Sequence, residues 1–270
     1  MTTTTFPLSG PTSLQLRVGS GTLTVHARDG LTEASVTLVP RVADSDVVER
    51  TVVELRGSTL HVMAPRQGGI LELPILGGRR HNRDAMDVTV TVPSGSAVRA
   101  TTYTADIAVD GRCGTADITS GASAISLDEV DGDLRVRYGS STCQVGRVSG
   151  SVELRSGSGD ARLGEIGGVL SAARGSGKLD VAAVHGPARS RSGSGRTTLG
   201  AVHGDVDIAS GTGELAIGIP AGQTARLDVA TGSGRVDSEL PVEDKPATSG
   251  KAITVRAHTG SGEIRLFRAA

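Results

Sequence analysis

Apolar residues in the second half of the chain fall into columns. Counting by eighteen, one column reads Ile107, Ile125, Cys143, Ala161, Leu179, Thr197, Leu215, and the column two residues on reads Val109, Leu127, Val145, Leu163, Val181, Leu199, Ile217. A third holds Val130, Val148, Ile166, Val184 and Val202. A fourth pair, again two apart, holds Leu134, Val152, Leu170, Val206 and then Val136, Leu154, Ala172, Ile208. Spacing by two is strand alternation, one side chain inward and the next outward. Recurrence at a longer fixed period stacks like on like in successive repeats.

Glycine keeps the same period. Gly114, Gly132, Gly150, Gly168, Gly186, Gly204 and Gly222 form one column, and Gly121, Gly139, Gly157, Gly175, Gly193 and Gly211 form another, with Tyr103 at the same phase one period earlier. The second column lies in recurring SGSG, SGTG and TGSG segments, whose spacing loosens to 21 at Gly232 and 28 at Gly260. The pattern predicts an all-β chain, a parallel β-solenoid (β-helix) with 18-residue coils. Each coil would carry two or three short strands that pair in parallel with the next coil, about 4.8 Å away. Glycine would mark corners, where φ is positive or backbone approaches closely. Coils are expected over 93–270, regular across 103–222 and looser across 223–270.

Residues 1–92 lack this period and read as an antiparallel β region capping the first coil, with incomplete coils of its own as the alternative. Alternating segments run over 14–18, 21–27, 34–39, 47–55, 59–63 and 86–92, punctuated by Gly and Pro. Residues 65–85 and 238–250 read as loops thrown out of the β structure. The last coil, Thr259–Phe267, is expected to close the C-terminal edge, blunted by Arg265, Phe267 and Arg268.

Composition sharpens this picture. Two Phe, two Tyr and no Trp leave the core to small branched side chains, while 38 Gly is about double the usual share. With 28 basic and 29 acidic residues the net charge is −1, which speaks against nucleic acid or an anionic membrane as the main partner. Cys113 and Cys143 cannot form a disulfide framework. MTTTTFPLSG has neither a basic nor an apolar leader region, so cytoplasmic placement is expected, with a surface or secreted one the alternative if a leader was removed. No stretch approaches the ~18 apolar residues of a membrane span.

Candidate chemistry is sparse. Gly157-Ser158-Gly159 and its copies lack the strand-to-helix context of a phosphate loop and read as corners. Asp160 suggests a calcium nonapeptide, but the same phase holds Lys178, Arg196 and Glu214. His185 and His203, one period apart, should stack, yet Ser149 and Gly167 occupy their phase in the preceding coils, so no third zinc ligand stands there. No G-x-S-x-G elbow appears, and Cys143 falls in an inward column, as core and not nucleophile. Arg135, Arg137, Arg155, Arg174, Arg189 and Arg191 are read as outward, a basic stripe interrupted by Glu153 and a candidate surface for an anionic partner. No catalytic, cofactor or metal residue is predicted, and no small-molecule substrate.

LQLRVGSGTLTV near the N-terminus, TVPSGSAVRATTYTADIAV before the first coils and TGSGEIRL ending at Leu266 resemble a widespread bacterial "putative adhesin" family. Its members are β-strand-repeat proteins of unknown function, and the resemblance spans nearly the whole chain. It implies a β-solenoid and an adhesin-like role, with no catalytic residues to carry over. The expectation is a non-catalytic scaffold or interaction protein with an unknown protein partner or self-association. The alternative is a β-helical domain that binds or acts on an extended anionic polymer such as a polysaccharide.

Overall fold

A computed structural model describes residues 1–65, 84–240 and 252–269. Within them the regular elements are β-strands apart from one helical turn, and the chain divides into two compact units, Met1–Thr142 and Cys143–Ala270.

The first unit contains β1 (Thr2–Pro7), β2 (Ser13–Val18), β3 (Ser20–Arg28), β4 (Glu33–Pro40), α1 (Val47–Arg50), β5 (Val52–Arg56) and β6 (Thr59–Met63). It continues with β7 (Ala85–Pro93), β8 (Ala97–Thr102), β9 (Asp106–Cys113), β10 (Ala116–Ser120), β11 (Ile125–Val130) and β12 (Leu134–Ser140). Its strands lie in the order β1-β4-β7-β3-β9-β11 in one sheet and β5-β6-β2-β8-β10-β12 in the other. Among the described residues only β1–β4, β4–β7 and β5–β6 are antiparallel. Strands β2 and β3 pair in parallel on both sides, with β6 and β8 and with β7 and β9, so most of the N-terminal region joins the parallel stack, and the antiparallel cap expected over 1–92 is confined to β1, β4 and β5.

Three details of this unit depart from the sequence expectations. Residues 47–50 form a turn of helix in place of the start of a strand. Arg50 reaches back to Asp46 Oδ1 at 2.9 Å, a helical i,i+4 pair, and Thr51 Oγ1 donates to Val47 O at 2.6 Å. The threonine-rich start of the chain is a strand whose residues are largely exposed, so no apolar alternation announced it. Third, β9 carries one extra residue: Val109 partners Leu127, but Cys113 partners Val130. Gly111, at φ +90, takes up the bulge and turns Cys113 into the interior. The predicted 65–85 loop lies mostly outside the described residues.

The second unit contains β13 (Cys143–Val148), β14 (Val152–Ser158), β15 (Ala161–Ile166), β16 (Leu170–Arg174), β17 (Leu179–Val184), β18 (Ala188–Ser194) and β19 (Thr197–Val202). It ends with β20 (Val206–Thr212), β21 (Leu215–Pro220), β22 (Ala225–Ser233), β23 (Val236–Ser238), β24 (Ile253–Ser261) and β25 (Ile264–Ala269). Odd-numbered strands form one parallel sheet, even-numbered strands the other, so each turn of chain contributes one strand to each. This is a solenoid-like winding. Leu163 stands between Val145 and Val181, and Ile166 between Val148 and Val184. Successive side chains alternate between buried and exposed, and the buried faces of both sheets close over one aliphatic interior. Each fully buried Val, Leu or Ile contributes about 1.5–3 kcal/mol, which offsets the ordering cost of the backbone.

The order at the end of this unit differs from expectation. Strand β20 pairs not with β22 but with β24, and β22 lies outside β24 as the edge strand. In the other sheet β25 lies between β21 and β23. The coil containing Thr259–Phe267 therefore does not close the edge; it is inserted between two earlier turns of chain. Arg268, expected to blunt that edge, instead donates to Pro220 O and Gln223 O, each at 3.1 Å. Most of the 238–250 loop lies outside the described residues.

Candidate functional site

Outward side chains of the even-numbered sheet in the second unit come from alternate strand positions, so they stand in rows that cross the strands. One row reads Glu153, Ser171, Arg189, Asp207, Arg256, Asp228, and the next Arg155, Ala173, Arg191, Ala209, His258, Ala230. Arg155 is exposed and bonds Glu153 through Nε–Oε1 at 2.9 Å. Arg189 is exposed and lies beside Asp207 in register. Arg191 grips Asp207 with Nη2 at 3.0 and 2.9 Å. That bond above all, with the charges of Arg256 and Arg189, holds the Asp207 carboxyl below its ordinary range. In the first unit Arg135 partners Asp117 across β12 and β10, and Arg137 Nη1 lies 3.7 Å from the same carboxylate. Carboxylates interleave with the predicted arginines more densely than Glu153 alone suggested.

Arg174 is the exception. Read as outward, it points inward and is only 5% exposed. Parity explains this: Leu170, Ala172 and Arg174 share the buried phase of β16, whereas Ala173 takes the outward place between Arg155 and Arg191. Arg174 stands between Ser156 and Ser192 in a column that continues through Ser210, Thr259 and Thr231. Its Nη1 donates to Gly177 O at 2.9 Å and its Nη2 to Thr197 Oγ1 at 2.6 Å. Thr197, wholly buried, is the one polar member of its apolar column in this unit, and it supplies an acceptor this guanidinium needs. Here β16 stops at Arg174, two residues shorter than β14, β18 and β20.

A groove of about 640 Å³ opens at this point. Its lining is Ser156, Ser192 and Ser210 with Arg174 and Arg191, filled out by Ala173, Ala209 and two glycines. Ser192 Oγ donates to Ser210 Oγ at 3.0 Å, while Ser156 Oγ is buried without a hydrogen-bond partner. The lining holds two guanidinium groups and no carboxylate.

The other candidate residues take structural places. His185 and His203 stack with ring centroids 4.9 Å apart, and His185 Nε2 meets Glu165 Oε1 at 2.7 Å. That hydrogen bond, then the charge of Arg147, lowers the Glu165 carboxyl. Among the described residues no group of three or more His, Cys, Asp or Glu is placed to hold a metal ion. Asp160 Oδ1 accepts the Lys178 N–H at 2.9 Å. The same device recurs where Asp106 accepts from Ala124 N at 2.8 Å and Ser151 from Val169 N at 3.1 Å, each eighteen residues on. These corner side chains staple one turn of chain to the next, a role the sequence reading missed. Burial pushes the Cys113 thiol up to about 11 and the Cys143 thiol to about 12, so both stay protonated and unreactive at neutral pH. No helix among the described residues is long and apolar enough to cross a membrane.

No family model and no curated protein matches the chain. Solved structures do. A "putative adhesin" from Bacteroides fragilis aligns at 14% identity and TM-score 0.42, over 98% of this chain and 96% of that one. A "putative cell adhesion protein" from Clostridium sporogenes aligns at 12% identity and TM-score 0.31, over 99% of both chains. A "putative lipid binding protein" from Parabacteroides distasonis aligns at 10% identity and TM-score 0.40, over 98% of this chain and 96% of that one.

Proposed function

We propose that the chain is a non-catalytic β-solenoid scaffold that offers ladders of charged and hydroxyl side chains to a partner, with coils of eighteen residues and the antiparallel strands β1, β4 and β5 at the N-terminal ends of its sheets. The observation that carries the reading is the register. Along the second unit Cys143 partners Ala161, Leu170 partners Ala188 and Leu179 partners Thr197, with aliphatics inside and ion-paired side chains outside. Polar groups laid out in rows suit an extended contact. Acid–base catalysis instead needs a few groups converging on one reacting atom. The partner is a protein or a second copy of the chain. Light scattering of the purified protein, together with recovery of tagged protein from native lysate, tests this: a self-associated species or a stoichiometric companion is expected. A lone monomer in both experiments overturns it, as does measurable turnover of any polysaccharide in a panel.

A second reading has its own support. The carboxylate-free groove over Arg174 and Arg191, next to exposed Arg155 and Arg189, favours contact with an extended anionic polymer.

A further inference from the structure

We infer that the groove at the ends of β14, β16, β18 and β20 seats an oxyanion, sulfate or carboxylate, carried by an acidic polysaccharide. The inference rests on the anionic-polymer reading and gives it a site. A guanidinium at 5% exposure, in a column of serines and threonines, is a costly thing to place in a corner. The chain supports it with a buried threonine in a neighbouring apolar column and with the carbonyl of Gly177. These two acceptors fix the orientation of the side chain. A fixed cation in poorly polarisable surroundings attracts an arriving anion more strongly than a mobile surface one does, and guanidinium geometry suits carboxylate and sulfate oxygens.

The groove supplies the remaining contacts. Ser156 lies next to Arg174 in register, and its buried Oγ has no partner, so a donor stands ready beside the charge. Arg191 lines the opposite side between Ala173 and Ala209, whose small side chains leave the space open. Its Nη1 donates to the carbonyls of Ser190 and Asp207 and its Nη2 to the Asp207 carboxylate, which lies outside the lining, so an arriving anion competes with Asp207 for this guanidinium. Hydroxyls from Ser192 and Ser210 complement the hydroxyls of a sugar. Nucleic acid fits poorly, because the lining carries no aromatic ring on which a base could stack.

Titration calorimetry on the full chain tests this with heparin, polygalacturonate and inorganic sulfate, and with single-stranded DNA as the competing polyanion. Binding of heparin or polygalacturonate is expected, the stronger of the two telling sulfate from carboxylate. Arg174→Ser combined with Thr197→Val restores the serine of the column and keeps the interior satisfied; it should weaken binding about tenfold. Arg191→Ala, a surface change, should weaken it in the same direction even if the double variant folds badly. Arg162→Gln, on the other sheet, should change nothing. Unaltered affinity in both groove variants, equal loss in Arg162→Gln, preference for DNA, or no binding of either polysaccharide each overturns the inference. Absent binding leaves the scaffold reading standing, whereas cleavage of a bound polysaccharide overturns the scaffold reading and leaves the groove in place.

Discussion

Leu163 touches Val145 on one side and Val181 on the other, and is 3% exposed, while the neighbouring Arg162 faces solvent between Gln144 and Asp180. An aspartate in place of Leu163 would bury a carboxylate among aliphatics, a loss of about 3 kcal/mol or more. Arg162→Gln should stay within about 0.5 kcal/mol of wild type. Thermal melts of the pair check the register directly, and equal midpoints would refute it. Asp110 offers a test by pH. The Arg28 guanidinium, then His26 Nδ1 at 3.0 Å, hold its carboxyl down to about 2. Because the folded group is more acidic than the unfolded one, its contribution is present above about pH 4 and fades as pH falls toward 2. Asp110→Asn should therefore melt below wild type at neutral pH, the gap closing under acid; a gap independent of pH sinks the assignment. Most inward positions were legible in the residue columns. Arg174 was legible too, by parity: it follows Arg155 by nineteen residues, not eighteen, which reverses its face.

At the level of the strand and its corner, glycine does two different jobs. Gly177 sits at φ +100, and a Cβ there would also lie 2.2 Å from Gly159 O. Gly186 has no positive φ; a Cβ would simply meet Gly168 O at 2.5 Å. In both cases the obstacle is the backbone carbonyl one turn of chain earlier. Gly186→Ala should cost about 1–3 kcal/mol through overpacking, and Gly177→Ala more because strain adds to the clash. Denaturant melts of the two variants give the order, and a reversed order would refute this account of the two corners, since Gly177 carries both the tighter overlap and the strained φ. Period revealed the columns. It could not reveal the bulge at Gly111, whose cue is a single extra residue, nor the helical turn at Val47–Arg50, whose four residues fit a strand pattern equally well. The stapling aspartates and serines were visible as residues, but their acceptor role depends on which N–H groups the neighbouring turn leaves open.

Across the second unit the path of the chain departs from the order of its sequence. Thr259 stands between Ser210 and Thr231, so the last TGSG segment is flanked by two earlier copies of the same motif. Each copy fits either slot, because all three carry the same inward pattern; similarity of the copies is why sequence could not rank them. Removal of residues 252–270 would strip β20 and β22 of the strand between them. Exposed edges of that length invite pairing with other chains. The truncated protein should therefore self-associate, and hydrogen exchange should rise in β20 and β22. A monomer with undiminished protection there would argue against the inserted order.

This interlocking also restricts how such a molecule can change length. A turn duplicated within 143–212 meets equivalent neighbours above and below and needs no other adjustment. One appended after β25 would emerge from the middle of the stack, with both flanks already taken. New repeats must then arise by internal duplication, and the clasped terminal turns should persist as a fixed pair while the number of turns before them drifts.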